Sequence, residues 1–289
     1  MGSLDRSAAF SFVYAKASGL LSKSFVGDNA NKLFQVKSLR ELYTLLFDDE
    51  LPSVPEVLLS KEIETKAAQR FISQYKDLLG SFESPSPILS EILSFYEYEN
   101  SGTTNDETDR AKIMALWNAV SSLKENDREN LEKLYKMEIS FKNILWVLRL
   151  KVYYHFSEDE ILSHLVYAGE HHRKDDVLAR EAIAIIGKDV ASYDDWKDWK
   201  YADFLNPHEE GVVWELDPCW IERALKNYLI KSYRRFFHKD PMSVTSLVSW
   251  FRIKQNELDC IRTVAEGLRL EVEPEQVMEV AGYAPDARN

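Results

Sequence analysis

Helical periodicity is the feature that most restricts how this chain can fold. Apolar residues recur at steps of three or four through most of its 289 residues, the spacing that places them on one face of an α-helix. Gly and Pro are few, ten and nine in the whole chain, which leaves room for long uninterrupted helices. No segment shows convincing strand alternation. We predict an all-α fold with helices over 8–24, 38–47, 56–80, 87–98, 108–123, 127–155, 158–168, 175–186, 218–238, 243–269 and 274–281.

Two interruptions divide this helical pattern. The longest polar break is "ENSGTTNDE" at 99–107, and the pattern is least regular over 187–217. We therefore expect three helical modules, bounded at 1–104, 105–206 and 207–289.

A short capped helix recurs in each of these segments. "SLRELYTLL" begins at Ser38, "SEDEILSHL" at Ser157 and "EPEQVMEVA" at Glu273. The first two place Glu three residues after Ser, the spacing of a capping box, in which side chains satisfy the free amides of a helix start. The third places Pro274 at the first helical position, where the missing N–H is harmless. The three starts are almost evenly spaced, as expected for three related modules.

A lysine interrupts the apolar stripe of the helix that precedes each capped segment. Lys254 lies between Phe251 and Leu258, and Lys16 and Lys151 hold similar places in the other two stripes. In one interpretation the lysine stem covers apolar surface while the ammonium reaches water or a carboxylate such as Glu257. In the other, three equivalent cations meet a partner.

Composition excludes several classes of protein. The formal net charge is −12, whereas nucleic-acid binding needs a basic surface. Two cysteines, Cys219 and Cys260, build neither a disulfide framework nor a four-thiolate zinc site, and we expect both to be small core residues. We expect no secretory signal, because the N-terminus has no basic start followed by a long apolar core, and no apolar run approaches the ~20 residues of a membrane span.

No motif for catalysis is present. The chain lacks a Walker loop, G-x-G-x-x-G, G-x-S-x-G and H-E-x-x-H. "GEHHRKDD" at 169–176 offers His171, His172, Asp175 and Asp176 for a metal-dependent hydrolase, but the segment is more typical of a solvated turn. "YDDWKDWKYADF" at 193–204 indicates either packing by Trp196 and Trp199 or an anchor for a partner. We predict no catalytic, metal or cofactor-binding residue.

Three segments resemble one known family. "SLVSWFRIKQNELDCIRTVAEGLRLEVEPEQVMEVAGY", "EISFKNILWVLRLKVYYHFSEDEILSHLVYAG" and "FSFVYAKASGLLSKSF" followed by "SLRELYTLLFD" are similar to the closing, middle and opening modules of the C subunit of V/A-type ATPases. Its counterpart in the eukaryotic proton pump is the d subunit. The closing match includes a K-x-x-E pattern at Lys254 and Glu257, and the middle match includes Asn143, Arg149 and Lys151.

The resemblance implies three modules in a funnel around a pseudo-threefold axis. It also implies a non-catalytic rotor subunit without cofactors, peripheral on the cytoplasmic face of the membrane. Its partners would be the central shaft and the membrane proteolipid ring, and it would couple ATP turnover to proton or sodium transport. The candidate partner-binding residues are Lys16, Lys151, Lys254, Arg252 and Glu257.

A different class of protein also fits the composition, namely a soluble helical-repeat adaptor or scaffold. Adaptors of the HEAT or tetratricopeptide type repeat every roughly 34 to 47 residues, and the sequence shows no such period.

Overall fold

The computed structural model describes residues 3–169, 173–209 and 211–283, and within them the chain is all-helical without a β-strand. This confirms the predicted fold class. In chain order the helices are α1 (Ser3–Ser22), α2 (Asn31–Phe34), α3 (Leu39–Leu46), α4 (Glu56–Leu79), α5 (Pro87–Glu99), α6 (Asp106–Ser121), α7 (Glu125–Val152), α8 (Glu158–His164), α9 (Arg180–Ile183), α10 (Tyr193–Trp196), α11 (Pro218–Lys239), α12 (Val244–Arg269) and α13 (Pro274–Val280). Short 3₁₀ turns occupy Gly27–Ala30 and Ala202–Phe204.

The three predicted helix starts are capped as their sequences indicate. At α3, the Ser38 hydroxyl accepts a hydrogen bond from the Glu41 amide at 3.2 Å. At α8, Ser157 and Glu160 form a capping box, in which the Ser157 amide donates to the Glu160 carboxylate at 2.8 Å. α13 begins with Pro274 in its first turn. At α3 and α8 the caps satisfy amides that have no partner inside the helix, whereas Pro274 at α13 has no N–H to satisfy.

Contacts divide the chain into two compact units. The first contains residues 1–85 and 233–289, and the second contains residues 86–232, so that the boundaries fall near the start of α5 and within α11. The division into modules 1–104, 105–206 and 207–289 stays a prediction, as does the pseudo-threefold arrangement.

The first unit is built around α12. Helices α1, α2, α3, α4 and α13 all pack against α12 or its neighbours, and α4 makes the longest contact with it. Trp250 and Phe251 of α12 lie against Phe71 and Tyr75 of α4, with the Tyr75 and Phe251 ring centroids 4.7 Å apart. Aromatic pairs of this kind bury large apolar areas.

The second unit has its own core. α7 packs against α6, α8 and α9, and α5 packs against α6. Trp196 and Trp199 are buried in this core with ring centroids 5.4 Å apart. The interpretation of these two residues as packing residues is thereby confirmed.

Two local predictions were wrong. Residues 175–186 form only the short α9, because the Asp176 carboxylate accepts the amides of Leu178 and Ala179 at 2.9 and 3.2 Å and so delays the helix start. Cys260 is buried as predicted, but Cys219 is exposed. Cys219 lies in the first turn of α11, next to Pro218.

Candidate functional site: a buried lysine in a helix seam

α12 is buried on almost every side along its first three turns. The continuous buried stretch runs from Val244 to Lys254, although its sequence alternates apolar residues with Ser, Thr, Arg and Lys. A single apolar stripe predicts a helix with one exposed face, so the structure buries far more of α12 than its pattern indicates. Neighbouring helices on several sides account for the difference.

Lys254, at the end of this buried stretch of α12, is enclosed together with an acidic partner. Its ammonium donates to the carboxylate of Glu257, one turn later in α12, and to the hydroxyl of Ser24 at 2.8 Å. Only 6% of the Lys254 side chain and 4% of the Glu257 side chain are exposed. The predicted local pairing of Lys254 with Glu257 is therefore present, but water does not solvate the ammonium.

Glu257 links α12 to the segment that follows α1. Its second carboxylate oxygen accepts the backbone amide of Phe25 at 2.6 Å, while Lys254 holds the neighbouring Ser24. One buried ion pair thus ties the middle of α12 to residues more than two hundred positions earlier in the chain. Charge-assisted hydrogen bonds of this type are stronger than neutral ones.

Burial and charge act in opposite directions on the lysine. Loss of hydration lowers the pKa of Lys254 below its ordinary value, and the positive charge of Arg70 also lowers it, whereas Glu257 raises it. The void beside the pair, bordered by Arg70 and Phe71 of α4, measures about 10 Å³. That volume admits at most about one water molecule, so Glu257 is the main compensation for the buried charge.

The other candidate residues lie in different surroundings. Lys16 pairs with Asp77 at 2.6 Å, and about a third of its side chain is exposed. Arg252 is buried and donates to Gln255 at 2.9 Å. Lys151, in the second unit, donates to the backbone oxygens of Ile186 and Lys188, the latter at 2.5 Å.

The structure thus brings Lys254 and Glu257 together, while the three lysines each have different bonding partners. A shared role for them in binding a partner stays a prediction. Burial lowers the pKa of Lys151 as well, with Glu158 and Asp189 opposing the shift. Desolvation is therefore the property that Lys151 and Lys254 have in common.

Two buried polar residues hold the loops of the second unit. Asn143 is fully buried, donating to the carbonyl oxygens of Val166 and Leu178 at 2.8 and 3.1 Å and accepting the Val166 amide at 2.9 Å. Asp176 is 7% exposed and accepts backbone amides from both directions along the chain, among them Gly169 at 3.0 Å. The sequence pattern did not indicate this role for either residue. The partners of Asn143 are 23 and 35 residues away, whereas those of Asp176 lie within eight residues.

The segment considered for a metal site does not supply one among the described residues. His171 and His172 lie outside them, Asp175 pairs with Arg173 at 2.9 Å, and Asp176 is occupied by backbone amides. Across the described ranges, no three His, Cys, Asp or Glu side chains meet as a metal-binding group. In the same ranges, no helix combines the length and apolarity needed to cross a membrane.

Comparison with known proteins assigns the chain to a family. The family described as ATP synthase (C/AC39) subunit matches residues 105–280, which is more than half of the chain. The chain belongs to this family. The matched residues include Lys151, the buried Lys254–Glu257 pair, and Asn143 and Asp176, whose hydrogen bonds hold the loops of the second unit. The match confirms the resemblance seen in the sequence.

Individual relatives within and around the family are distant. The chain is 27% identical over 197 residues to the A-type ATP synthase C subunit of Thermococcus onnurineus, covering 68% of this chain and 49% of that protein. It is 25% identical over 263 residues to the C subunit of Thermococcus kodakarensis, covering 85% and 69%. An uncharacterized protein of Treponema pallidum is 23% identical over 318 aligned positions, covering 91% and 93%. The chain thus spans about half the length of some curated relatives that it matches.

Proposed function

We propose that this chain is a non-catalytic central-rotor subunit of a V/A-type ATPase. It links the central shaft to the membrane proteolipid ring and couples ATP turnover to proton or sodium transport. The observation that carries the proposal is the family match over residues 105–280. The archaeal relatives, which are named as the C subunit of A-type ATP synthases, support the same complex.

The long, closely packed helices of the chain support a role in carrying torque. Its long helices contain few Gly and Pro, and the central helix α12 is held by a buried ion pair as well as by apolar packing. Close-packed interiors have low compressibility and transmit strain. A rotor subunit that contacts other proteins at the bilayer surface needs this stiffness rather than an active site.

We propose Lys16, Lys151, Lys254, Arg252 and Glu257 as the residues on which partner binding depends. Lys16 is accessible for direct contact, whereas Lys254 and Glu257 act by fixing the shape of the first unit. Melting and shaft binding measured together on Lys16→Met, Lys151→Met and Lys254→Met separate the two roles. Loss of binding at an unchanged melting temperature identifies direct contact.

Add-back to depleted membranes tests the proposed function. Membrane vesicles of the source organism that lack this chain should still hydrolyse ATP at the soluble head but should lose ATP-driven ion uptake. Purified chain should restore uptake. Ion uptake that continues unchanged without the chain would overturn the proposal.

A further inference from the structure

An open groove lies at the far end of the first unit, where α12 ends and α13 begins. Its volume is about 470 Å³. Its lining consists of Glu64, Arg262, Thr263, Glu266, Gly267, Leu270, Val272, Gln276, Val277 and Val280. We call it the α12–α13 groove.

The floor of the groove is apolar and partly open to solvent. Leu270 and Val280 are 55% and 65% exposed, although side chains of this kind are favoured in the interior. Beside them, Val277 is buried against Gly267, where an added Cβ would lie 2.5 Å from a Val277 methyl carbon. This close contact seats α13 on α12, so the groove is a formed feature of the unit.

The segment that contributes Val272, Gln276, Val277 and Val280 to the groove lining is acidic. Residues 271–280, "EVEPEQVMEV", contain four exposed Glu and no Lys or Arg. The basic lining residue Arg262 faces Asp259 at 3.9 Å, and Glu266 is paired with Arg269. An apolar floor with an acidic border therefore faces solvent.

We propose that the α12–α13 groove binds an amphipathic helix of a partner protein whose apolar stripe is flanked by lysine or arginine. A helix docks in such a groove through apolar residues at i, i+3, i+4 and i+7. Flanking cations meet the acidic border, which favours encounter and fixes orientation. An acidic helix would place like charges against residues 271–280. The groove lies outside the Lys254 seam, and helix binding there does not depend on the rotor role.

Two synthetic peptides test the proposal on the full chain. Both carry the same leucine stripe, flanked by lysine in one peptide and by glutamate in the other. In fluorescence anisotropy at low salt, the lysine peptide should bind at least about tenfold more tightly than the glutamate peptide, and added salt should weaken its binding. Equal binding of the two peptides, or no binding of the lysine peptide, would overturn the proposal.

The substitutions are made at exposed positions, because changes there should leave the fold intact. Leu270→Gln with Val280→Gln should weaken binding of the lysine peptide at least about tenfold, whereas the control Phe12→Gln with Val213→Gln, exposed elsewhere, should leave binding unchanged. Glu271→Lys with Glu273→Lys, which flank the lining residue Val272, should remove the preference between peptides, and Glu83→Lys should not. Controls that weaken binding as much as the groove variants would contradict the assigned site.

Two other occupants are outcomes of the same experiment. Sedimentation that shows self-association of the wild-type chain, abolished by Leu270→Gln with Val280→Gln, would replace the partner helix by a second copy. Peptide binding that appears only after residues 284–289 are deleted would assign the groove to the chain's own C-terminus. Either result would overturn the proposal.

Discussion

Lys254 and Glu257 form an ion pair inside the first unit, one helical turn apart on α12, with side chains only 6% and 4% exposed. The pair also holds Ser24 and the amide of Phe25, so it joins two segments from opposite ends of the chain. A buried pair costs desolvation energy that its mutual attraction offsets only with good geometry and further hydrogen bonds. Here Ser24 and the Phe25 amide supply the further hydrogen bonds, which makes the two residues interdependent.

Removing one partner of the pair should destabilise the protein strongly. Lys254→Met leaves the Glu257 carboxylate and the Ser24 hydroxyl buried without the hydrogen bonds that the lysine nitrogen donates, and we expect a loss of about 3–5 kcal/mol in the free energy of unfolding. If the lysine stem only covered apolar surface and its charge had no buried partner, this substitution would be nearly neutral. The double variant Lys254→Met with Glu257→Leu should recover most of the loss. Denaturant unfolding measures all three proteins.

Lys16→Met is the matched control for this series. Its pair with Asp77 is partly exposed, with 32% of the Lys16 side chain and 63% of the Asp77 side chain open to solvent, so the change in stability should stay within about 1 kcal/mol. A Lys254→Met protein as stable as Lys16→Met would contradict the buried pair.

Stability should depend on pH through the same lysine. The pKa of Lys254 lies below its ordinary value of 10.5 in the folded protein. Between the lowered pKa and 10.5 the unfolded chain therefore binds more protons than the folded chain, and the contribution of Lys254 to stability rises with pH. We expect the stability of wild type, relative to the double variant without either charge, to increase as pH rises towards 10.5. A difference that falls over this window would contradict the lowered pKa.

Two helical glycines should respond in opposite directions to alanine. At Gly267 the new methyl group meets Val277 at 2.5 Å, so Gly267→Ala should displace α13 and lower stability. At Gly19 in α1 nothing lies within 4 Å of the new methyl group, and Gly19→Ala should stabilise by up to about 1 kcal/mol through helix propensity. Adding Val277→Ala to Gly267→Ala should recover part of the loss. Thermal melting distinguishes these cases, and stabilisation by Gly267→Ala alone would show that α13 is not seated as described.

Asn143 should be essential to the second unit. Asn143→Leu removes three hydrogen bonds and leaves backbone groups of Val166 and Leu178 buried without them. Each unsatisfied buried group costs about 1–3 kcal/mol, so we expect a loss of at least about 3 kcal/mol in denaturant unfolding. Asn118→Leu, at an exposed position of α6, is the control and should have little effect. Equal stability of the two variants would show that Asn143 does not hold the loops.

Local signals were sufficient to predict the long helices. α4 and α12 end within about one residue of their predicted bounds because their apolar period and the breaks on either side are local features of the sequence. The short elements α2, α9 and α10 were missed or overextended. Helices of a single turn have too little periodicity to be recognised, and a nearby side chain can shift their start, as Asp176 does before α9.

The candidate site was predictable only in part. The three-residue spacing of Lys254 and Glu257 along one helix indicated that they could pair, and the pair is present. Its burial was not predictable, since Ser24 and Phe25 approach from a segment more than two hundred residues earlier. The hydrogen bonds of Asn143 to Val166 and Leu178 depend on tertiary structure in the same way.

A bridging assay tests the proposed rotor role most directly. Immobilised central shaft proteins from the source organism are exposed to the detergent-solubilised proteolipid ring, with and without this chain, and the captured ring is quantified. We predict that the shaft captures the ring only when the chain is present, and that all three then elute as one complex. Capture of the ring by the shaft at the same level without the chain would contradict the rotor role.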